Sequence, residues 1–312
     1  MVNNIFDDDQ QVLSSSNIFD NGGNDTANIS EDLQSTNESQ TTTYSDEELT
    51  DPNKINVNIK DPNAPLIVLF GPPGCGKTMT LVRLTRYLNT QGFLVAPIRD
   101  FRPAYDTNYT AICDGFDNLV SSDDAAEGTN KINFMLVEVM KNGKRICQLL
   151  EAPGEHYFDP KNPSAAFPNY VNQIINRNNR KIWALMVEPN WKEASDRKKY
   201  VQKISRLKSR LRPRDKAIVV FNKIDMTNFV MSPGHITTGS AIKEIRDLYP
   251  GLVELFKNLN PITSFFKPYK LNFAPFQTGD YSKTTKGKQS FQEGPDEYPR
   301  LLWSMIKKLI TG

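Results

Sequence analysis

The chain has 312 residues, 38% of them hydrophobic, and a formal net charge of only +2. This length allows one large domain or two small ones, and no apolar run is long enough to predict a membrane-spanning helix. The three cysteines lie far apart, at residues 75, 113 and 147, without metal-ligand spacing, which favours a reducing compartment. Since no signal sequence is recognised at the start of the chain either, we expect a cytoplasmic protein.

The small net charge hides a strong asymmetry along the chain. Residues 1–60 hold twelve acidic side chains against two lysines, a net charge of −10, and the remainder carries +12. Because this segment also has few apolar residues, we predict a disordered acidic tail over residues 1–60. Asn-Ile-Phe-Asp occurs twice in it, at residues 4–7 and 17–20, which predicts a repeated docking peptide for a protein partner. Coincidence in an Asn- and Asp-rich sequence is the alternative.

A phosphate-binding motif follows the predicted tail. The apolar run at residues 66–70 predicts a strand buried on both faces, and helical spacing of apolar residues predicts a helix at 77–89. Between them the sequence G-P-P-G-C-G-K-T is a complete G-x-x-x-x-G-K-[ST] loop, in which Lys77 reaches the β- and γ-phosphates and Thr78 binds Mg²⁺. The predicted nucleotide contacts are Gly71, Pro72, Pro73, Gly74, Cys75, Gly76, Lys77, Thr78 and Met79.

The rest of the chain alternates between strand-like and helix-like segments. Further strands are predicted at residues 132–140, 145–150, 182–187, 217–221 and 270–276. Further helices are predicted at residues 168–177, 192–211, 240–258 and 296–310. This order predicts an α/β fold, a three-layer α/β/α P-loop NTPase with a mostly parallel sheet. An Asn-Gly turn at residues 142–143 predicts a hairpin, so one strand should be antiparallel.

A second motif follows the predicted strand at 217–221, where the chain reads Asn222-Lys223-Ile224-Asp225. An ionised carboxylate only accepts hydrogen bonds, and guanine presents two adjacent donors, its ring N1–H and its amino group. Asp225 is therefore predicted to select the base, with the Lys223 stem across the purine face and Asn222 tied back to the phosphate loop. An ordinary polar turn is the alternative.

Together these motifs resemble those of P-loop GTPases of the translation-factor and Ras-related class, without assigning a subfamily. The resemblance covers residues 61–312 and implies a GTPase domain that binds GTP or GDP with Mg²⁺. It also implies that Glu151 orients the metal through water and that the N–H of Gly154 senses the γ-phosphate, although the family has Asp in place of Glu151. After the last predicted strand, Thr278 and Gly279 stand where the family contacts the guanine oxygen.

The same resemblance implies a metal-binding threonine and a water-positioning residue. Spacing to residue 151 favours Thr129 as the Mg²⁺ ligand, with Thr107 and Thr110 as alternatives. Glu155 and His156 are the candidates for orienting the attacking water, and surface residues of a slow enzyme are the other interpretation.

The switch I region, residues 91–129, is longer than a minimal GTPase needs. It holds short apolar runs at 93–98 and 109–113, each predicting an added strand or a lid. Arg99 and Arg102 also lie there. Either could contact the transferring phosphate, although a solvated loop arginine is the commoner case.

The implied function is hydrolysis of GTP to GDP, with Lys77 and Mg²⁺ neutralising the developing charge, in a nucleotide-dependent switch. The alternatives are a GTP-locked scaffold with negligible hydrolysis and a ring-forming ATPase, which would need an Asp-Glu strand end that we do not find. Residues 192–216 carry eleven Lys or Arg against three acidic residues. This basic helix predicts an acidic partner, such as nucleic acid, anionic lipid or the chain's own tail, or else a solvated face.

Overall fold

A seven-stranded sheet organises the part of the chain that the computed structural model describes. The structure describes residues 48, 51–122, 134–228, 230–232, 235–266, 269–283 and 289–312, all within the compact unit Thr41–Gly312. The predicted docking peptides at 4–7 and 17–20 lie outside the described residues, as does Thr129.

The sheet has the strand order β2-β3-β4-β1-β5-β6-β9. Strand β3 is antiparallel to both β2 and β4, and the other neighbouring pairs are parallel. The predicted α/β fold with a mostly parallel sheet and one antiparallel hairpin strand is confirmed. The strands of the sheet are β1 Leu66–Phe70, β2 Leu94–Pro97, β3 Met135–Lys141, β4 Lys144–Glu151, β5 Lys181–Val187, β6 Lys216–Phe221 and β9 Asn272–Pro275.

Two small hairpins lie outside this sheet and were not predicted. They are formed by β7 Val230–Ser232 with β8 His235–Ile236, and by β10 Gly279–Lys283 with β11 Gln289–Glu293.

Helices follow the strands and cover the sheet. Every residue of β1 and β5 is buried, which requires helices on both faces. The helices are α1 Lys77–Thr90, α2 Thr107–Ser121, α3 Gly154–Tyr157, α4 Asn169–Asn176, α5 Ala194–Lys208, α6 Thr238–Leu248, α7 Thr263–Phe266 and α8 Glu297–Thr311. The helix predicted at 240–258 ends ten residues earlier, because Pro250 disfavours helical backbone at Tyr249. Within the described ranges, no helix combines the length and the apolar character needed to cross a membrane.

The two apolar runs of the predicted switch I region have different structures. Residues 94–97 form the edge strand β2, so the first added strand is confirmed. The run at 109–113 lies inside helix α2, so a strand there was wrong. The Asp106 side chain accepts a hydrogen bond from the Tyr109 N–H and begins the helix, and Tyr109, Cys113 and Phe116 recur at helical spacing on its buried face.

Packing against the core begins before residue 60. Ile55, Val57 and Ile59 are 3%, 7% and 0% exposed and belong to the hydrophobic core. Their alternation buries every second side chain, and the Asn58 N–H donates to the Phe101 carbonyl at 2.8 Å. The tail predicted over residues 1–60 is therefore wrong for residues 51–60, which were assigned to it from their composition alone.

Candidate nucleotide-binding site

The predicted site residues gather at one edge of the sheet. The phosphate loop follows β1, Glu151 ends β4, Asn222 follows β6, and Thr278 comes shortly after β9. These strands are parallel, so their carboxyl ends meet at the same edge, where open α/β sheets bind ligands.

The phosphate loop has the backbone that its sequence predicts. Gly74 and Gly76 take φ values of +76° and +84°, which only glycine adopts without strain, and helix α1 begins directly at Lys77. The Lys77 ammonium donates to the carbonyls of Gly71 and Pro72, at 3.2 and 3.1 Å. The Trp191 indole N–H donates to the Pro73 carbonyl at 3.3 Å. With its carbonyls occupied in this way, the loop leaves N–H groups and a helix N-terminus for an anion.

Two predicted metal-binding residues are in contact. The Thr78 hydroxyl donates to Oε1 of Glu151, which is 3% exposed. Burial raises the pKa of the Glu151 carboxyl to about 7, against the lowering effects of Thr78 and Lys77. Oε2 of Glu151 is buried without a hydrogen-bond partner among the described residues. A buried, unsatisfied carboxylate beside a hydroxyl fits a hard divalent cation such as Mg²⁺, despite the replacement of Asp by Glu.

Gly154 lies directly against the phosphate loop. A Cβ atom at this position would collide with the backbone of Pro72 and Pro73. No larger residue fits without displacing the loop, so the turn after β4 is coupled to the phosphate-binding backbone. This closeness is what sensing of a phosphate by the Gly154 N–H requires.

The predicted base-binding loop is tied to the phosphate loop. Nδ2 of Asn222 donates to the Cys75 carbonyl at 3.0 Å across 147 positions of sequence, the contact that the motif predicts. Gly76 makes this possible, because a Cβ atom there would collide with the Asn222 amide. Lys223 follows with a φ of +55°, a left-handed conformation that is uncommon outside glycine.

The side chain of Asp225 is exposed, although its surroundings raise the pKa of its carboxyl. Partial desolvation is the main cause, the Asp280 carboxylate adds to it, and a backbone hydrogen bond and Lys223 oppose it. A ligand that donates hydrogen bonds to the Asp225 carboxylate would favour its ionised form and offset both the desolvation and the repulsion from Asp280. Asp280 was not among the predicted site residues.

Residues 276–279, which include the predicted guanine contacts Thr278 and Gly279, lie beside the base-binding loop. The Ile224 N–H donates to the Phe276 carbonyl at 3.2 Å, and the Gly294 N–H donates to the Thr278 carbonyl at 3.1 Å. Thr278 and Gly279 are both buried. The chain therefore brings residues 276–279 next to the Asn222–Asp225 corner, as the resemblance implied.

Glu188 lies beside the candidate site and was not among the residues predicted from sequence. It follows β5, is 4% exposed, and forms an ion pair with Lys223. Its backbone is held by Tyr249, whose hydroxyl accepts from the Glu188 N–H at 3.2 Å and donates to the Glu188 carbonyl at 2.8 Å. Burial raises the pKa of the Glu188 carboxyl, and Lys223 opposes that shift. Its position at a strand end was the only signal in the sequence.

The two candidates for orienting water differ in their surroundings. Glu155 is exposed on the short helix α3. Nδ1 of His156 lies 2.9 Å from the Tyr170 hydroxyl, and the imidazole packs against the Phe134 ring at 5.7 Å between centroids. Burial, assisted by the charge of Lys77, lowers the His156 pKa to about 4, so the imidazole is neutral at pH 7.

Both switch-region arginines are engaged by carboxylates. Arg99 pairs with Asp114 and Asp117 at 2.8 and 3.3 Å. Arg102 is buried between Asp106 at 2.8 Å and Glu48 at 2.9 Å. These contacts assign Arg102 a structural role in joining residues 48–56 to helix α2.

The alternative threonines, Thr107 and Thr110, both lie in the first turn of α2, where the Thr110 hydroxyl donates to the Asp106 carbonyl at 3.5 Å.

Comparison with solved structures finds matches that include three described by their binding of GTP or GDP. A protein from Plasmodium falciparum described as a candidate nucleolar GTP-binding protein 1 is 13% identical, with a TM-score of 0.40, over 82% of this chain and 90% of that one. Methanosarcina barkeri Roco2 RocCORdC bound to GDP is 14% identical, with a TM-score of 0.34, over 82% of this chain and 51% of that one. The S. cerevisiae Ski7 GTPase-like domain, bound to GDP and inorganic phosphate, is 13% identical, with a TM-score of 0.38, over 80% of this chain and 50% of that one.

The chain thus spans about half the length of the second and third of these structures. No family model and no curated protein matches the sequence. In its sheet order and in the places of its motifs at the carboxyl edge, the chain resembles P-loop GTPases, with the subfamily unassigned.

Proposed function

We propose that this protein binds GTP with Mg²⁺ and hydrolyses it to GDP, acting as a nucleotide-dependent switch. The observation that carries the proposal is the hydrogen bond from Asn222 to the Cys75 carbonyl, because it joins a phosphate-binding loop to a base-binding loop. A nucleotide that spans the two loops would meet phosphate donors at one end and the Asp225 carboxylate at the other.

Each part of the nucleotide has a matching group in this proposal. The backbone N–H groups of residues 74–78 and the Lys77 ammonium receive the β- and γ-phosphates. Asp225 accepts hydrogen bonds from the guanine N1–H and amino group, and the Lys223 stem, held by Glu188, lies on the purine face. Thr78 and Glu151 would hold Mg²⁺, which supplies charge neutralisation on the phosphates when bound.

Hydrolysis requires a water held in line with the γ-phosphate. We assign this role to Glu155 or His156 as the resemblance implies, and the neutral imidazole of His156 has the protonation state that can accept a proton from water. In the described conformation His156 is held by Tyr170, so we expect slow hydrolysis unless a partner rearranges this turn.

A scaffold that binds GTP and barely hydrolyses it is the second candidate, favoured by the contact between His156 and Tyr170. Release of inorganic phosphate from purified protein separates the two, since a scaffold releases almost none in a single-turnover experiment. A ring-forming ATPase is less favoured, because β5 ends in Val187 and is followed by Glu188 without an Asp-Glu pair. Competition between GTP and ATP for binding tests this alternative directly.

Binding of the four nucleoside triphosphates with Mg²⁺ tests the proposal, using Lys77→Ala as the loss-of-binding variant. We expect tight binding of GTP alone and a loss of at least about tenfold in GTP affinity for Lys77→Ala, because the charge on the phosphates is then unpaired. Lys144→Ala, which removes an exposed lysine at the hairpin turn, is the matched control. Unchanged GTP affinity in Lys77→Ala would reject the assigned phosphate loop.

The remaining expectations about location and partners are proposals of the same kind. We infer a cytoplasmic protein whose acidic segment at residues 1–50, with its two Asn-Ile-Phe-Asp copies, docks on a protein partner. An acidic partner at the basic residues 192–216 is supported by exposed cations such as Lys198, Lys208, Arg210 and Arg214.

A further inference from the structure

Exposed apolar side chains are concentrated in one short segment of the described chain. Among the described residues, six large hydrophobic side chains are markedly exposed, and three of them lie within residues 259–265. Leu259 is 85% exposed, Ile262 76% and Phe265 86%. Single exposed apolar residues are ordinary, but three within seven residues make this segment a candidate contact surface. We call residues 259–265 the apolar knuckle.

Local hydrogen bonds fix the knuckle on a closed base. Residues 257 and 269 form an isolated antiparallel bridge, and the Lys270 N–H donates to the Phe256 carbonyl at 2.7 Å. At the tip, the Asn260 carboxamide oxygen accepts from the Ile262 N–H at 3.0 Å, and the Asn260 carbonyl accepts from the Ser264 N–H at 2.9 Å. The knuckle is therefore a defined protrusion, and its apolar side chains stay exposed at the cost of unfavourable hydration.

Cations surround the base of the knuckle. Residues 255–271 contain three lysines and no acidic residue, and two of these lysines, Lys257 and Lys270, are exposed in the described structure. The Lys208 ammonium, at the end of the basic helix α5, lies 6.0 Å from the centroid of the Phe256 ring. The neighbouring acid Glu254 is paired with Arg246 at 3.0 Å. An apolar tip with exposed lysines near its base, for which no ion pair is found in the described part of the chain, matches the interface of an anionic bilayer.

The knuckle lies at the opposite end of the sheet from the nucleotide site. Lys270 precedes the amino end of β9, whereas Phe276 and Thr278 follow its carboxyl end. Helix α5 begins after the carboxyl end of β5 and ends before the amino end of β6, which places Lys208 at the knuckle's end of the sheet. A surface bound there leaves the nucleotide loops accessible.

We propose that this protein docks on anionic lipid surfaces through the apolar knuckle, with Leu259, Ile262 and Phe265 entering the headgroup region. Lys257, Lys270 and Lys208 contact the lipid phosphates and carboxylates. Charge complementarity favours this occupant over a neutral bilayer, and one shallow anchor of three apolar side chains gives reversible binding.

Vesicle co-sedimentation of the full chain tests the proposal. Vesicles of phosphatidylcholine with about 30% phosphatidylserine should bind the protein, vesicles of phosphatidylcholine alone should bind it at least about tenfold more weakly, and about 0.5 M NaCl should release it. The variant Leu259→Ser/Ile262→Ser/Phe265→Ser should lose at least about tenfold in binding to the anionic vesicles. Leu94→Ser, which removes another exposed leucine on the edge strand β2, should bind as the parent does.

The charge component is tested separately by Lys257→Glu/Lys270→Glu, which should weaken binding by at least about tenfold while leaving the apolar tip intact. GTP binding by each variant verifies that the domain is folded. Absence of binding by the parent, or equal binding by the triple-serine variant, would overturn the proposal. A parent that ignores vesicles but forms dimers in analytical ultracentrifugation, lost on triple-serine substitution, would assign the knuckle to a second copy of the chain instead.

Discussion

At the scale of single residues, the site depends on a few buried polar groups whose partners come from distant parts of the chain. Asn222 binds the Cys75 carbonyl, Thr78 binds Glu151, and Glu188 pairs with Lys223. The Asn222, Glu151 and Glu188 side chains are buried, so the loss of its partner leaves each of them unsatisfied at a cost of about 1–3 kcal/mol.

Glu188→Gln should weaken binding of GTP and GDP by about tenfold, because Lys223 loses the charge that holds its stem beside the base. Binding of inorganic pyrophosphate should stay unchanged, since the phosphate loop is intact. Both affinities are measured by titration calorimetry, with Glu254→Gln as the control that breaks an exposed ion pair elsewhere. Parallel loss of pyrophosphate affinity would show a general defect of the site and contradict a positioning role for Glu188.

His156 makes folding stability depend on pH in a defined direction. Its pKa falls from 6.5 to about 4 on folding, chiefly through burial. The neutral imidazole therefore contributes stability fully above pH 6.5, and that contribution is lost as the pH falls towards 4. Between those limits the free energy of unfolding of the nucleotide-free protein should drop on the order of 2 kcal/mol more than that of His156→Gln. Parallel urea-unfolding profiles for the two proteins would contradict the burial of this side chain.

At the scale of elements, patterns confined to one segment were predictable. The apolar runs that form β1 and most of β5 and β6 were found from sequence, as was the hairpin turn. Asn142 and Gly143 have the positive φ values, +51° and +73°, that such a turn needs. Helix α2 was missed because the run at 109–113 is too short to distinguish strand from helix, although Asp106 was a helix-start signal.

Features that depend on distant partners were not predictable. Residues 51–60 look like part of the acidic tail, and only packing against the core reveals that Ile55, Val57 and Ile59 are buried. Glu188 carries no motif, so only its burial beside Lys223 identifies it. The convergence of Thr78, Glu151 and Asn222 on one edge was expected, because the resemblance assigns all three to one nucleotide site and their motifs follow predicted strands.

Ile59→Ala tests the packing of the 51–60 segment. Ile59 is fully buried, so its truncation should lower the free energy of unfolding by about 2–4 kcal/mol. Leu94→Ala is the control, because Leu94 is 60% exposed and should cost much less. The two values are obtained from urea unfolding followed by circular dichroism. If Ile59→Ala lowers the free energy of unfolding as little as Leu94→Ala does, residues 51–60 do not pack against the core and belong to the predicted tail.

At the scale of the whole molecule, the sheet separates two surfaces with different chemistry. The carboxyl edge gathers the loops that follow β1, β4, β5, β6 and β9 into one candidate nucleotide site. The amino edge carries the apolar knuckle and the exposed cations near it. If both proposals hold, the chain can bind a surface at one end and a nucleotide at the other, so nucleotide binding and lipid docking can be tested independently.

The central claim is that two distant loops form one guanine-nucleotide site, and exchange of base preference tests it most directly. Titration calorimetry with GTP and XTP in Mg²⁺ should give a preference for GTP in the parent and for XTP in Asp225→Asn, each by more than about tenfold. The exchange follows because the asparagine amide donates to the additional carbonyl of xanthine, where the carboxylate could only accept. Asp280→Asn, which alters the neighbouring carboxylate, should keep the preference for GTP. The same preference in the parent and in Asp225→Asn would contradict the account.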